Sequence, residues 1–342
     1  MITAELVAAA LFTGVVAYAV FGGADFGSGF YDLTAGGGPA GARVRTLIDH
    51  NIGPVWEANH VWLIYVLVVW WTGFPRAFAA AMTTLFTPLV LALAGIVLRG
   101  STFAFRKYAA TFAQARLFGA VFAGSSLITP FFLGTVAGAI ASGRVPAGGY
   151  GDPVRSWLNP TSVVGGCLAA ATSVYLAGVF LTVAAARTDA PELAARLRVR
   201  ALAVGFVAGI IVIAGLYPVA HDAPTLAAGL RGKALPLLLI AAVAGATTLV
   251  LLYRRTGLGA ARVCAVTAVV AVVAGWGVAQ YPWMLVDQLR IADAAGAPAT
   301  LDALLIVVVL AGLLMIPPLS YLLWFSQSEA SAIAVPSARG GD

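Results

Sequence analysis

Residues 234–253 read ALPLLLIAAVAGATTLVLLY, twenty consecutive residues without a charged side chain. An α-helix rises 1.5 Å per residue, so this stretch is about 30 Å long, which is the thickness of the hydrocarbon core of a bilayer. Eight further stretches have a similar length and composition. The nine predicted spans are 3–30, 54–73, 76–99, 114–142, 161–186, 199–219, 234–253, 261–281 and 302–325. We therefore predict an all-α, polytopic integral membrane protein with about nine transmembrane helices.

The composition excludes a soluble globular protein. Charged residues make up 10% of the 342 residues and hydrophobic residues 61%, whereas soluble domains carry roughly 25% charged residues. The first apolar stretch has no Lys or Arg before it, so we expect it to be a retained helix and not a cleaved signal peptide. The net charge of +6 is typical of basic membrane-protein loops, and we expect no nucleic-acid partner. Cys167 and Cys264 lie in apolar stretches and indicate neither a disulfide framework nor a metal site.

The distribution of Lys and Arg predicts the orientation of the chain. Loops after odd-numbered predicted helices hold thirteen of them: Arg43, Arg45, Arg99, Arg106, Lys107, Arg116, Arg187, Arg196, Arg198, Arg200, Arg254, Arg255 and Arg262. Loops after even-numbered helices hold six: Arg76, Arg144, Arg155, Arg231, Lys233 and Arg290. Cytoplasmic loops carry the excess of basic residues. We therefore predict the N-terminus outside and the C-terminus in the cytoplasm.

The two long loops on the predicted outer side suggest a division of the chain. We expect a first four-helix transmembrane bundle, a second four-helix bundle and a separate ninth helix. The predicted segments are 1–142 (first bundle), 143–160 (extracytoplasmic loop), 161–281 (second bundle), 282–301 (extracytoplasmic loop), 302–325 (ninth helix) and 326–342 (cytoplasmic tail).

Among the ionisable residues within or at the ends of the predicted spans of the first bundle, four are candidates for function: Asp25, Glu57, His60 and Arg99. Charged groups in hydrocarbon are costly, and they commonly mark functional sites or proton paths. The predicted topology puts Asp25, Glu57 and Arg99 on the cytoplasmic half of the membrane, although none was used to choose the spans. We therefore take them as candidates for a proton route.

Each candidate also has a structural interpretation. Glu57 lies in the first turn after a proline, where a carboxylate suits the helix dipole, and Asp25 could serve structure alone. Arg99 could extend to the lipid headgroups. His60 is three residues after Glu57 and hence on the same helix face, as a relay partner or as a hydrogen-bonded interior residue. The sequence leaves these alternatives open.

We expect no haem and no metal to be ligated by this chain. Haem iron is normally held by His or Met, and the histidines are few. His50 and His60 lie near the inner interface, whereas His221 lies in an outer loop, so no two histidines face each other across a predicted span.

The segment from Gly53 to Trp62, GPVWEANHVW, resembles the signature of a known family. Together with its surroundings it is similar to subunit II of cytochrome bd-type quinol oxidases. The other matching positions are Asp25-Phe26-Gly27, Phe74-Pro75, Leu98-Arg99, Asn159-Pro160, Tyr281-Pro282-Trp283 and Ile316-Pro317-Pro318. The resemblance therefore covers nearly the whole chain.

The resemblance implies a function in the bacterial inner (plasma) membrane. Subunits of this kind pair with a subunit I that carries haems b and d and the quinol site. The complex oxidises quinol and reduces dioxygen to water with protons from the cytoplasm. Subunit II generally ligates no haem and supplies part of the proton route, with acids that fall on Asp25 and Glu57 here. Small accessory transmembrane subunits and membrane lipid are the other partners expected.

The sequence departs from the family pattern at one point. The usual Trp-Asp-Gly-Asn followed by Glu or Gln is here Trp56-Glu57-Ala58-Asn59-His60. Glu57 moves the carboxylate outward by one methylene, and His60 adds a titratable ring.

The competing functional class is a secondary transporter. Nine helices, intramembrane charge and spans interrupted by Gly and Pro fit a transporter as well. The charges, however, converge on one side of the membrane and not at its midplane, and the whole-chain resemblance favours the oxidase subunit.

Overall fold

The computed structural model describes residues 2–52, 56–106, 108, 111–188 and 190–329, with the backbone alone at 51–52, 56–58, 106, 112 and 322–329. These residues form helices and one small antiparallel hairpin. In chain order the elements are α1 (Ile2–Leu33), α2 (Gly38–Ile52), α3 (Trp56–Gly73), α4 (Pro75–Thr84), α5 (Phe86–Arg106), α6 (Phe112–Ala141), α7 (Pro160–Arg187), α8 (Pro191–Asp222), α9 (Pro224–Arg231), α10 (Leu235–Arg254), α11 (Leu258–Gln280), β1 (Trp283–Leu285), β2 (Leu289–Arg290), α12 (Ile291–Ala294) and α13 (Pro298–Glu329).

Eight of the described helices are long and apolar enough to cross a membrane: α1, α5, α6, α7, α8, α10, α11 and α13. The pair α3 and α4, which is bent by 119°, can be counted as a ninth span. The prediction of an all-α polytopic membrane protein is confirmed. The parts of the sequence prediction that lie outside the described residues include residues 53–55 with the start of the second predicted span, the side chain of Glu57, Lys107 and residues 330–342 of the tail.

The third predicted span, 76–99, was wrong as a continuous helix. Two helices occupy this region, because α4 ends at Thr84 and α5 starts at Phe86. Pro88 has no backbone N–H that could donate to the carbonyl oxygen one turn earlier, at Thr84. This missing hydrogen bond favours a break in the helix between Thr84 and Phe86. Pro75 at the first position of α4 likewise suits a new helix after the sharp bend that follows Gly73.

Several short elements lie in segments that the sequence prediction left as loops. The largest is α2, whose buried residues Val44, Leu47 and Ile48 have the spacing of one helix face. The others are α9, the hairpin β1–β2 and α12. A search for apolar stretches of about 20 residues misses such elements, because they are short or carry apolar residues on one face only.

The helix α1 lies at the centre of the fold, in contact with α3, α6 and α7. Its approach to α7 is very close: a Cβ added to Gly27 would lie 1.9 Å from the backbone oxygen of Ser173. Helices in lipid associate through such close backbone contacts. The contact joins helices of both predicted four-helix bundles, and the division at residues 143–160 stays a prediction.

The two ends of the bundle are distinguished by their ion pairs. We call the end with the Arg45–Asp32 pair, where α1 ends, the inner end. The end with the Arg144–Asp222 pair, where α8 ends, is the outer end. The two names follow the topology predicted from the basic residues.

Candidate functional site

A buried ion pair joins Asp25 of α1 to Arg99 of α5. Arg99 Nη2 donates to Asp25 Oδ1 at 2.6 Å, and Nη1 donates to Oδ2 at 3.1 Å. Nη2 also donates to the backbone oxygen of Asp25 at 3.1 Å. The exposed fraction is 3% for Asp25 and 2% for Arg99. Arg99 therefore does not extend to the headgroups, and that structural interpretation was wrong.

The third helix of the site, α6, fixes the orientation of the guanidinium. Arg99 Nε donates to Ser126 Oγ at 3.0 Å, and the Ser126 hydroxyl itself donates to the backbone oxygen of Phe122 at 2.6 Å. The Arg99 guanidinium carbon lies 5.0 Å from the ring centre of Phe26 and 4.8 Å from that of Phe122. Both distances are within the range of cation–π attraction. The guanidinium is thus held by hydrogen bonds and aromatic rings together.

Glycine on α1 makes room for this arrangement. A Cβ added to Gly29 would lie 2.4 Å from the Cβ of Ser126, so any larger residue would push α1 and α6 apart. Gly29 is one turn after Asp25, and it therefore sets the distance across which Ser126 can contact the guanidinium.

The pair stabilises both of its charges in a place where neither would be stable alone. Bidentate Arg–carboxylate contacts are the strongest hydrogen bonds between side chains. Removing one partner of a buried pair costs about 3–5 kcal/mol, because the other charge is left without compensation. The bidentate geometry and the burial of both side chains therefore describe a fixed charge pair.

The other two predicted site residues lie on α3. His60 is half-buried, and its ring stacks on Phe26 with 6.4 Å between the ring centres and 19° between the planes. Phe26 thus lies next to both His60 and Arg99. Glu57 is in the first turn of α3, but its side chain lies outside the described residues, as do residues 53–55 of the family-like segment.

A second ion pair at the inner end was missed by the sequence analysis. Arg45 Nε on α2 donates to Asp32 Oδ1 at 2.8 Å, and Arg45 Nη2 donates to the backbone oxygen of Gly36 at 3.1 Å. Close by, Arg200 Nη1 on α8 donates to Thr34 Oγ1 at 3.3 Å. Asp32 follows Asp25 by seven residues and so lies on the same face of α1. This spacing was the sequence signal from which a role for Asp32 could have been predicted. Ser126 had no such signal, since buried hydroxyls are common in apolar helices.

The outer end is joined by a different ion pair. Both terminal nitrogens of the Arg144 guanidinium donate to the Asp222 carboxylate. Nη1 donates to Oδ2 at 3.0 Å, and Nη2 donates to Oδ1. Asp222 Oδ2 also accepts from the backbone N–H of Thr161 at 3.0 Å. This cluster connects the loop after α6, the start of α7 and the end of α8.

The described residues contain no group of three or more His, Cys, Asp and Glu side chains that could hold a metal ion. His50 is exposed on α2, and its Nδ1 lies 2.9 Å from the backbone oxygen of Thr46. His221 is exposed at the outer end, and its Nδ1 lies 2.9 Å from the backbone oxygen of Tyr217. These two histidines are at opposite ends of the bundle.

Comparison with known proteins gives consistent results. A family model described as cytochrome bd terminal oxidase subunit II matches residues 3–326. Cytochrome bd ubiquinol oxidase subunit 2 of Bacillus subtilis (strain 168) is 29% identical over 146 residues, which is 42% of this chain and 42% of that protein. The alignment thus spans less than half of the relative.

A similar solved structure is the bd oxidase from Geobacillus thermodenitrificans. It matches with a TM-score of 0.78 and 23% identity, over 95% of this chain and 98% of that chain. At this level of identity the likeness establishes the fold. Both comparisons agree with the resemblance that the sequence shows at residues 53–62. The family model covers nearly all of the chain.

Proposed function

The chain belongs to the cytochrome bd terminal oxidase subunit II family, and we propose that it works in a complex that oxidises quinol and reduces dioxygen to water. The partner in this proposal is a subunit I that carries haems b and d. Small accessory transmembrane subunits and lipid complete the complex. The family match gives no support to the secondary transporter that the sequence left open.

The haems are assigned to the partner because the described histidines of this chain do not suit them. Haem supplies electron transfer and the binding of dioxygen when it is present. His50 and His221 are exposed at opposite ends, and His60 is stacked on Phe26. A haem normally needs axial ligands in an enclosed, largely apolar site. The contribution of this chain would then be structural support and the delivery of protons.

The proton route in our proposal runs from the inner end through Asp25, Glu57, His60 and Arg99. Reduction of dioxygen consumes protons, and the hydrocarbon core does not conduct them without polar groups. The observation that carries the proposal is the Asp25–Arg99 pair, which places a carboxylate and a guanidinium inside a span at 2–3% exposure. A chain with so few charges is expected to keep a buried pair of this kind for a function.

We assign different roles to the four residues. Asp25 and Arg99 form the fixed part, because each compensates the charge of the other and Ser126 holds the guanidinium. Their field and hydrogen bonds would organise water at the inner half of the bundle. Glu57 at the start of α3 and His60 one turn later would be the groups that take up and release protons. The inner end would face the cytoplasm of a bacterial cell.

Replacing Glu57 with Gln tests the route in the purified complex. The change keeps the shape of the side chain and removes its titration, so quinol oxidation should slow while haem content and assembly stay as in the wild type. Glu57→Asp restores the family residue and serves as the control that should retain most activity. If the Glu57→Gln complex oxidises quinol at the wild-type rate across the neutral pH range, Glu57 is only a charge at the helix end and is not part of the proton route. Absence of a haem-bearing subunit from a gently purified wild-type sample would refute the wider proposal.

A further inference from the structure

An apolar cavity of about 320 Å³ lies between α1, α6, α7, α8 and α11, and side chains of α9 and α10 complete its wall. This volume is at the lower end of the range of about 300–1,000 Å³ that is typical of ligand sites. Its walls are almost entirely aliphatic or aromatic, with Val15, Leu133 and Val273 among the lining residues. The cavity does not involve the ion pairs at either end, and the proposed proton route does not use it.

The cavity occupies one half of the membrane. On α6 it is lined by residues from Pro130 to the helix end at Ala141, and on α7 by residues from Thr161 to Ser173. Twelve residues at 1.5 Å each correspond to about 18 Å. The hydrocarbon core is about 30 Å thick, so this depth is close to one leaflet. One leaflet is also the length of one acyl chain.

The cavity is open toward lipid on the side of α8. Leu216 lines the cavity and is nevertheless 49% exposed. Ile213 and Tyr217 beside it are each 72% exposed. A residue that faces the cavity and the outside at once indicates a lateral opening. Through such an opening a hydrocarbon chain could enter directly from the bilayer.

Trp276 lines the outer part of the cavity. It lies one turn before the end of α11 at Gln280, at a depth where tryptophan commonly meets the polar part of a bilayer. The ester groups of phospholipids lie at this level, so a chain that enters the cavity beside Trp276 would have its ester group at the membrane interface.

We propose that this cavity binds one acyl chain of a membrane phospholipid. The glycerol esters lie near Trp276, and the methyl end of the chain reaches Tyr18 and Phe26 at the deep end. The choice of a phospholipid follows from the depth of one leaflet, from the lateral opening at Leu216 and from a tryptophan at the level of the esters. The Tyr18 hydroxyl at the deep end lacks a partner among the described residues. A quinone with its ring there is the alternative occupant, and the experiments below separate the two.

Photolabelling of the unmutated complex tests the position of the chain. The probe is phosphatidylglycerol with a diazirine at the terminal carbon of a palmitoyl chain, added to the delipidated complex. We expect adducts on peptides that include residues 18–26 of α1 or residues 169–173 of α7. Adducts confined to exposed helix faces, such as that of α13, would overturn the proposal.

A pair of neighbouring substitutions on α8 tests the cavity itself. Val212 lines the cavity, whereas Ile213 does not line it and is 72% exposed. Val212→Phe should lower the amount of phospholipid retained per complex about tenfold, which corresponds to about 1.4 kcal/mol of binding. Ile213→Phe adds a similar side chain on the lipid face and should retain the wild-type amount.

Three outcomes of mass spectrometry on the extracted lipids would refute the proposal. They are equal phospholipid in both variants, no phospholipid in the wild type, or a quinone at one molecule per chain in its place. If Val212→Phe does not assemble, the photolabelling of the unmutated complex decides the question.

Discussion

The Asp25–Arg99 pair should behave as a single energetic unit, and a double-mutant cycle can test this. The three variants are Asp25→Leu, Arg99→Met and the two changes combined. Each single change leaves a buried charge without its partner. The double change replaces both charges by apolar side chains of similar size.

The structure sets the expected magnitudes. Two charge-assisted hydrogen bonds join the side chains, and Arg99 also donates to the Asp25 backbone and to Ser126. Each hydrogen bond to a charged group contributes about 1.5–3 kcal/mol. A single change should therefore lower the unfolding free energy by about 3–5 kcal/mol. The double variant should lose much less than the sum of the two, because a buried ion pair can be replaced by apolar residues at little cost.

The unfolding free energy can be measured by reversible denaturation in mixed detergent micelles. The quantity of interest is the difference between the double variant and the sum of the singles, which we expect to reach about 2 kcal/mol or more in favour of the double variant. Additive losses would show that the two side chains act independently. A loss below about 1 kcal/mol for Asp25→Leu would show that Arg99 finds compensation elsewhere. Either result would refute the assignment of a fixed pair.

Three further predictions concern the packing of α1 against α7, the orientation of the chain in the membrane, and the barrier that the Phe26 ring forms between the buried ion pair and the apolar cavity. Gly27→Ala should destabilise the fold by about 1–3 kcal/mol or more in thermal unfolding, because the new Cβ would lie 1.9 Å from a backbone oxygen of α7. Gly124→Ala, which has nothing within 4 Å, is its control. A cysteine at Gly148 should react with an impermeant reagent added outside intact cells and one at Gly259 should not, and the reverse labelling would invert the predicted orientation. Phe26→Ala should raise the passive proton leak of proteoliposomes several-fold, and an unchanged leak would contradict a barrier at this ring.

The fold class and the location of the buried charges could be predicted because they depend on local sequence. A span of about 20 apolar residues has few alternatives in a bilayer. Once the spans were ordered, Asp25 and Arg99 had to lie at the same membrane side. Their direct contact could not be predicted, because it depends on the rotation of α1 and α5 about their axes. That rotation is set by close contacts such as those of Gly27 and Gly29.

The features that were missed depend on tertiary contacts. The amphipathic helix α2 is stabilised by packing of Val44, Leu47 and Ile48, and its composition alone resembles a loop. Ser126 matters only because its hydroxyl lies 3.0 Å from Arg99 Nε. The apolar cavity has no sequence signal at all. It is the space left where seven helices do not fill the outer half of the bundle.

The ring of Phe26 separates two regions that have opposite properties. The ring lies 5.0 Å from the Arg99 guanidinium carbon and stacks on His60. The same ring lines the apolar cavity, where it forms a T-shaped pair with the ring of Tyr18 at 6.4 Å between centres. Water that reaches the ion pair from the inner end would meet mostly apolar walls beyond this ring. A hydrocarbon chain in the cavity would exclude water from the outer half, since an apolar cavity offers it no hydrogen-bond partners. Protons could then enter from the inner end only, which is the direction that an oxidase needs if it is not to dissipate the gradient across its own membrane.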